Sequence, residues 1–274
     1  MGVCLRNRRQ LEHDMRQAIA RKELSLVYQP QADLQSGQIF GFEALLRWQH
    51  GTRGQVAPAA FIPMAEECGA ILQIGEWVLR AACAEAARWE APLAIAVNVS
   101  VVQLHSGRLP GLVEDVLRAS ALQPSRLELE ITESTLVKDV GRALEVLGKL
   151  KALGVRIAMD DFGTGYSSLT TLRAFPFDKI KVDRSFVRSV NANEEVAVIL
   201  RAVCDLAQVL RLPVLAEGVE TEGEMHFLRQ LACDAIQGHF VAQPAPIIQF
   251  EEYTSGATSA RLCHDLSLLS KGAA

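Results

Sequence analysis

The chain has 274 residues, 49% apolar and 22% charged, with a formal net charge of −4, the profile of an ordinary globular protein. The acidic balance gives no support for a basic nucleic-acid footprint and does not exclude a nucleotide substrate, because metal ions can supply the positive charge that phosphates need. No apolar run nears the ~20 residues of a membrane span, and the basic start MGVCLRNRRQ lacks the apolar stretch of a secretory signal. Residues 1–9 therefore read as the remnant of a linker from an upstream domain, or of cloning.

Residues 9–22 place Leu11, Met15, Ala18 and Ile19 at helical spacing and predict an amphipathic helix. LSLVYQPQADL predicts a first strand and IFGFEALLRW a second. Only Ser36-Gly37 turns between them, so this pair is expected to be an antiparallel hairpin. Pro58 opens a short helix that Gly69 closes, and a long helix follows over 73–90. LAIAVNVS is the third strand. A helix over 109–121 leads to the fourth, RLELEIT, and a helix over 136–152 ends at Gly154. VRIAMDD is the fifth strand. The Gly-rich FGTGYSSL and a short helix stopping before Pro176 come next. DKIKVD is the sixth strand, followed by a long helix over 194–210. PVLAEGV is the seventh, TEGEMHFLRQL a helix, and DAIQG a short last strand. Residues 247–274 have weak periodicity and are expected to pack as a terminal helix with a frayed tail.

Strands alternating with helices imply parallel pairing, because parallel neighbours need a crossover. With no Pro/Gly/Ser-rich linker and a length near the ~250 residues of an eight-fold barrel, the expectation is one α/β domain. Polar residues recur at the strand ends: Glu43, Asn98, Glu130 and Glu133, Asp160 and Asp161, Lys181 and Asp183, Glu217 and Glu220. In a parallel barrel these gather at one mouth, and such a set of oxygen donors suits a hard divalent cation. A blander reading makes Asp160-Asp161 a solvated turn and Lys181 a surface residue paired with Asp183. The six cysteines (Cys4, Cys68, Cys83, Cys204, Cys233, Cys263) are scattered without a C-x-x-C pair. Cys83 and Cys204 read as small buried thiols, and reduced thiols fit a cytoplasmic enzyme.

Glu43-Ala44-Leu45 stands inside E-A-L-L-R. YQP, EALLRW, FIPMAEE, NVS, ELEITES, DDFGTGYSSL, IKVDRSFV, AEGVE and QG follow in an order and spacing that resemble those of the EAL-domain cyclic-di-GMP phosphodiesterases. The resemblance runs from about residue 10 to residue 250, leaving 251–274 as a C-terminal helix and tail. It implies a (β/α)8 TIM-like barrel with one antiparallel strand. It also implies hydrolysis of cyclic-di-GMP to linear pGpG with two divalent cations, Mg²⁺ or Mn²⁺. By the same resemblance Glu43, Asn98, Glu130 and Asp160 form one metal set, with Asp161 and Glu217 completing the ligands. Glu43, Lys181 and Glu217 are the catalytic group. Gln29, Leu45, Arg47 and Gln237 line the substrate, and Glu133 pins the loop from Phe162 to Ser168. Glu220 is expected to brace the barrel. His239 and Phe240 depart from the family pattern at the rim. The resemblance further implies a homodimer through the helix after the fifth strand, and an upstream sensor or GGDEF domain in the full-length protein. Two alternatives stand beside it. One is a cyclic-di-GMP-binding regulatory module without catalysis, whose members lack one or more metal carboxylates. The other is a different barrel metalloenzyme, which would not explain Gln29, Arg47 and the loop together.

Overall fold

The Ser36-Gly37 turn folds because Asp33 organises it. Asp33 Oδ1 accepts hydrogen bonds from the amides of Gln35 (3.1 Å) and Ser36 (2.7 Å) and from the Ser36 hydroxyl (2.7 Å), an aspartate turn of the usual kind. The strands it joins, β1 (Leu24–Asp33) and β2 (Ile39–His50), pair antiparallel with Gln29 opposite Glu43. A computed structural model of the chain describes residues 2–133, 135, 139–163, 169–188, 190 and 193–256, with backbone alone for 2–9 and 169–171.

From β2 onward the chain runs β4 (Ala94–Asn98), β5 (Leu127–Thr132), β6 (Arg156–Phe162), β7 (Lys179–Val182), β8 (Val214–Ala216) and β9 (Ala235–Ile236). Each is parallel to its predecessor in the ring. β9 pairs back to β1, which runs antiparallel to both its neighbours, and this closes the barrel. The TIM-like barrel with one antiparallel strand is thus the observed fold. A short β3 (Gly54–Val56) extends β2 outside the ring. Its three residues have no periodicity for the sequence to display.

Several helix limits differ from expectation. The first helix runs Gly2–Gln17, and residues 18–22 turn back to meet β1. The helix expected over 73–90 is Ile71–Ala86. Arg126 reaches in from the next layer and donates to the carbonyls of Ala86 (2.7 Å) and Leu93 (2.9 Å), which fixes the break. Short helices Val101–His105 and Arg184–Arg188 follow β4 and β7, too brief to show a pattern in sequence. The terminal helix reduces to a 3-10 turn Ile247–Phe250 and Glu251–Thr254, and the rest of 247–274 lies outside the described residues. Helix Val140–Ala152 is capped by Asp139, whose Oδ1 accepts from the Arg142 amide at 3.0 Å.

The core lies between the barrel wall and the helices. Ile95, Val97, Leu127, Leu129, Ile131 and Ile157 point outward into it and are fully or almost fully buried. The inward positions alternate with these and carry Asn98, Glu128, Glu130 and Asp160 beside the small Ala96 and Ala158, which places the chemistry inside the ring.

Candidate active site

The strand registers bring the polar set together. Glu43 lies opposite Ala96 and Asn98 opposite Glu130. Glu130 lies opposite Ala158, and Lys181 opposite Leu215. Asn98, Asp160 and Glu217 each stand two residues beyond an inward position. Even offsets preserve the face of a strand, so all of these side chains enter the barrel interior. Asp161 is the exception by register, since adjacent strand residues point to opposite faces. The β6–β7 pairing slips between Met159 and Phe162, and Asp161 takes a left-handed φ of 55°, which aspartate tolerates better than most residues. A bulge of this kind re-aims a side chain. Carboxylate oxygens of Asp160, Asp161 and Glu217 consequently lie within 4.8 Å of one another.

Lys181 occupies the centre. Its Nζ is 2.7 Å from Glu130 Oε1, 2.6 Å from Glu217 Oε1, 3.5 Å from Asp160 Oδ1 and 3.6 Å from Glu43 Oε2. It is 0% exposed, so the reading of Lys181 as a surface residue paired with Asp183 is wrong. Asp183 instead accepts from the Ser185 amide at 2.9 Å. Asp160 is 8% exposed, which likewise excludes a solvated turn.

The charges set one another's titration. Burial opposes ionisation of Glu43, but Lys181 and hydrogen bonds from Gln237 and Asn98 outweigh it and hold this carboxyl below its ordinary value. Burial and the neighbouring Glu43 push Glu130 well above the usual range. Burial, with Asp160 and Glu43 nearby, pushes Glu217 up to about 8. Asp161 is raised by burial and by Asp160 and Asp183. Burial disfavours the Lys181 ammonium, yet the surrounding carboxylates raise its pKa well above normal. The ammonium is therefore fixed, and the surplus negative charge is relieved by protons on Glu130 and Glu217.

That surplus is the test of whether a metal ion fits. Five carboxylates face one ammonium. Apart from the Lys181 ammonium and the neighbouring Glu43 carboxyl, no described side chain satisfies the buried oxygens of Glu130. No His or Cys belongs to the set, so the donors match Mg²⁺ or Mn²⁺ better than zinc. The residues fit hard divalent cations.

A glutamine network holds Glu43 from behind. Gln237 Nε2 donates to Glu43 Oε2 (2.5 Å) and lies 3.0 Å from Gln29 Oε1. Gln31 Nε2 donates to Gln237 Oε1 at 3.0 Å, and Gln29 Nε2 to the Ala242 carbonyl at 3.1 Å. Asn98 Nδ2 donates to Glu43 Oε1 at 2.7 Å, so its amide oxygen is the atom of this side chain that could serve a cation. Gly238 follows Gln237 because a Cβ there would stand 2.2 Å from the Val219 carbonyl oxygen. Gln31 was not singled out from the sequence, although YQPQ carries it two residues beyond Gln29 on the same face.

Leu45, Arg47 and Asn98 line a cavity of 470 Å³ beside the carboxylates, floored by Ile62, Ile71 and Ile74. Arg47 is half-buried there, with Nη1 on the Leu46 carbonyl at 2.9 Å. Glu133 is buried just past β5. The loop it was expected to pin lies largely outside the described residues, at 164–168. Glu220 is exposed at the rim and pairs with Arg188, which links the segment after β8 to the helix after β7. His239 is exposed on the same rim.

A family model for the EAL domain matches residues 12–244. A protein described as an uncharacterized signaling protein from Caulobacter vibrioides is 56% identical over 255 residues, 93% of this chain and 32% of that protein. The bifunctional diguanylate cyclase/cyclic di-GMP phosphodiesterase MucR of Pseudomonas aeruginosa is 42% identical over 253 residues, 91% of this chain and 37% of MucR. The structure of the PaMucR phosphodiesterase in complex with c-di-GMP superposes with a TM-score of 0.85 at 43% identity. That match covers 88% of this chain and 99% of the solved one. The chain thus spans about a third of the length of the curated relatives it matches.

Proposed function

The chain belongs to the EAL domain family, and on that premise we propose that it hydrolyses cyclic-di-GMP to linear pGpG and so lowers cyclic-di-GMP signalling. The observation that carries this reading is the complete acid set. Glu43, Glu130, Asp160, Asp161 and Glu217 surround Lys181 at one mouth, next to a cavity that presents Arg47 and Leu45. A binding module without catalysis has no need of so many buried like charges, which cost stability without a cation to offset them.

In this proposal Glu43, Asn98, Glu130 and Asp160 hold one divalent cation, and Asp161 and Glu217 complete the site of a second. Bound Mg²⁺ or Mn²⁺ supplies a water of lowered pKa and offsets charge on the phosphoryl oxygens. The chain's own groups do the rest. Lys181 cannot turn away, because four carboxylates hold its Nζ, so it offers a fixed positive charge to a phosphate oxygen or a hydroxide. Glu217 is 2.6 Å from that ammonium and is the member of the pair nearer solvent, so once bound cations have displaced its own proton it would accept one from a water held by Lys181. Gln29, Gln31 and Gln237 keep Glu43 aimed into the mouth. Arg47 meets a phosphate or a guanine edge with its planar fork, and Leu45 packs against the ligand. Glu133 positions the loop from Phe162 to Ser168.

The same proposal places residues 10–250 in the catalytic domain, behind a sensor or GGDEF domain, in the cytoplasm and as a homodimer. Among the described residues no helix is long and apolar enough to cross a membrane. The test is incubation of the pure chain with cyclic-di-GMP and Mg²⁺ or Mn²⁺, followed by chromatography for pGpG. Product that disappears with a chelator supports the proposal. Tight binding without product would favour the regulatory reading instead.

A further inference from the structure

Three residues outside the acid set meet behind Asn98. β4 ends at Asn98, and only Val99 and Ser100 separate it from helix Val101–His105. The Val99 amide is tied to the next strand, donating to the Glu130 carbonyl at 2.9 Å. Ser100 takes an extended backbone and closes a capping box with Gln103. Its Oγ accepts from the Gln103 amide at 3.2 Å, and Gln103 Oε1 accepts from the Ser100 amide at 3.1 Å. A helix of five residues has little stability of its own. The box therefore matters less for the helix than for the backbone that leaves Asn98.

Gln103 is held from outside as well. It is 5% exposed, and its amide group fills the space that a side chain at position 75 would need. A Cβ on Gly75 would stand 2.0 Å from Gln103 Nε2, 2.4 Å from its Cδ and 2.8 Å from its Oε1. Gly75 lies inside helix Ile71–Ala86 and has no positive φ. A glycine in such a place is unfavourable relative to alanine. Its missing side chain, not its conformational freedom, is what this contact uses.

We infer that Gln103, seated on Gly75, is a positioning residue for Asn98. The inference rests on the proposed function, in which Asn98 is a cation ligand. Asn98 Nδ2 is committed to Glu43 Oε1 at 2.7 Å, so the path of the backbone out of β4 decides where the amide oxygen falls. Mg²⁺ demands near-ideal geometry at about 2.0–2.1 Å from each oxygen, which makes that path consequential. Gln103 fixes the amide of Ser100, and Ser100 stands two residues beyond Asn98. The sequence shows half of the device, since Ser100 and Gln103 have the S-x-x-Q spacing of a capping box. The other half, Gly75, comes from a different helix and is brought there only by the fold.

The test uses the full chain and reads metal binding apart from turnover. Isothermal titration with Mn²⁺ after EDTA stripping gives the affinity, and calorimetric melting in EDTA gives the stability of the metal-free fold. Gln103→Ala should bind Mn²⁺ at least about 10-fold more weakly, the scale on which groups behind a ligand act. Its melting temperature in EDTA should fall by only about 2–4 °C, the loss of one cap. Gly75→Ala displaces Gln103 and should weaken Mn²⁺ binding to a similar degree. In the Gln103→Ala background nothing is left to displace, so adding Gly75→Ala should cost no further affinity. Losses that add in the double variant, or wild-type affinity in Gln103→Ala, would overturn the inference. So would a Gln103→Ala chain that is unfolded in EDTA, because the residue would then serve the fold at large. Gln103 also lines the 470 Å³ cavity; a raised KM for cyclic-di-GMP at unchanged Mn²⁺ affinity would make it a substrate contact and overturn the positioning role. A wild-type chain that binds no Mn²⁺ would sink the proposed function, and this inference with it.

Discussion

Replacing Lys181 by Met isolates the electrostatic problem at the heart of the site. Methionine keeps the length of the side chain and its apolar stem, so packing changes little. What is lost is the cation shared by Glu43, Glu130, Asp160 and Glu217. Two routes relieve the remaining charge, and both are costly. Leaving a buried ionised group without its partner costs about 3–5 kcal/mol. Keeping one more carboxyl of ordinary pKa (about 4.3) neutral at pH 7 costs about 2.7 × 1.36, or roughly 3.7 kcal/mol. The agreement sets the expected loss at about 3–5 kcal/mol. A domain of this size moves by about 2–4 °C per kcal/mol, so the melting temperature in EDTA at pH 7 should fall by roughly 6–20 °C. The sign with pH follows from linkage. Carboxyls whose folded pKa is raised contribute stability at low pH and lose it as pH rises through that value. The variant should therefore recover toward wild type near pH 5. Added Mg²⁺ or Mn²⁺ replaces the missing charge, and binding to the folded state alone adds about 2.7 kcal/mol at a hundred times Kd. Differential scanning calorimetry in EDTA and in a metal series checks all three points. A variant that melts within a degree or two of wild type in EDTA at pH 7, or that metal fails to stabilise, would refute the reasoning.

Glu43→Ala should lower kcat by at least about 100-fold, a loss of several kcal/mol of transition-state stabilisation, while Arg47→Ala should mainly raise KM; equal effects on both constants from both variants would contradict that division. Gln237→Leu strands Gln29, Gln31 and Glu43, each at about 1–3 kcal/mol per orphaned group. Melting temperature and Mg²⁺ affinity should fall together, and an unchanged calorimetric trace would show the network to be dispensable. Glu217 is pushed up to about 8, so the folded metal-free protein holds a proton that the unfolded chain releases near the ordinary carboxylate value. Its stabilising contribution is full below that ordinary value and is lost as pH rises toward 8, whereas Mg²⁺ affinity, which needs the ionised form, should climb through the same window. Isothermal titration that finds affinity flat between pH 6 and 9 (roughly two units below to one above that value) would count against it.

Much of this was legible because barrel strands write themselves as apolar runs ending in polar residues. IFGFEALLRW, VRIAMDD and PVLAEGV end where β2, β6 and β8 reach the mouth, and the hairpin was readable from Ser36-Gly37. What stayed hidden depends on register and closure. That Asp160 and Asp161 share a mouth requires the slip between Met159 and Phe162, which no local pattern reports. That Gln31 supports Glu43 requires β9 to close on β1. The strands LELEIT and DKIKVD carry charges at every second position, a pattern that ordinarily marks a solvated face. In the barrel both faces are buried, and the charged face is the interior.

Those same two strands explain why the acid surplus points to a cation rather than to structure. Glu128 and Lys179 sit one pleat below Glu130 and Lys181 on β5 and β7. Lys179 Nζ lies 2.7 Å from Glu128 Oε1 and stacks over the Phe40 ring at 5.0 Å. The lower layer holds one acid per base and is neutral by itself. The upper layer repeats the same pair at 2.7 Å and then adds Glu43, Asp160, Asp161 and Glu217. Filling a barrel interior needs only the stoichiometry of the lower layer. Each further buried carboxylate raises the cost of the metal-free state, as the pKa values of Glu130 and Glu217 record. Such a surplus is offset only when positive charge arrives from outside the chain. Lys181 offsets part of that charge in the metal-free barrel, and on the proposed function the unbalanced acids around it are what would give divalent cations their affinity.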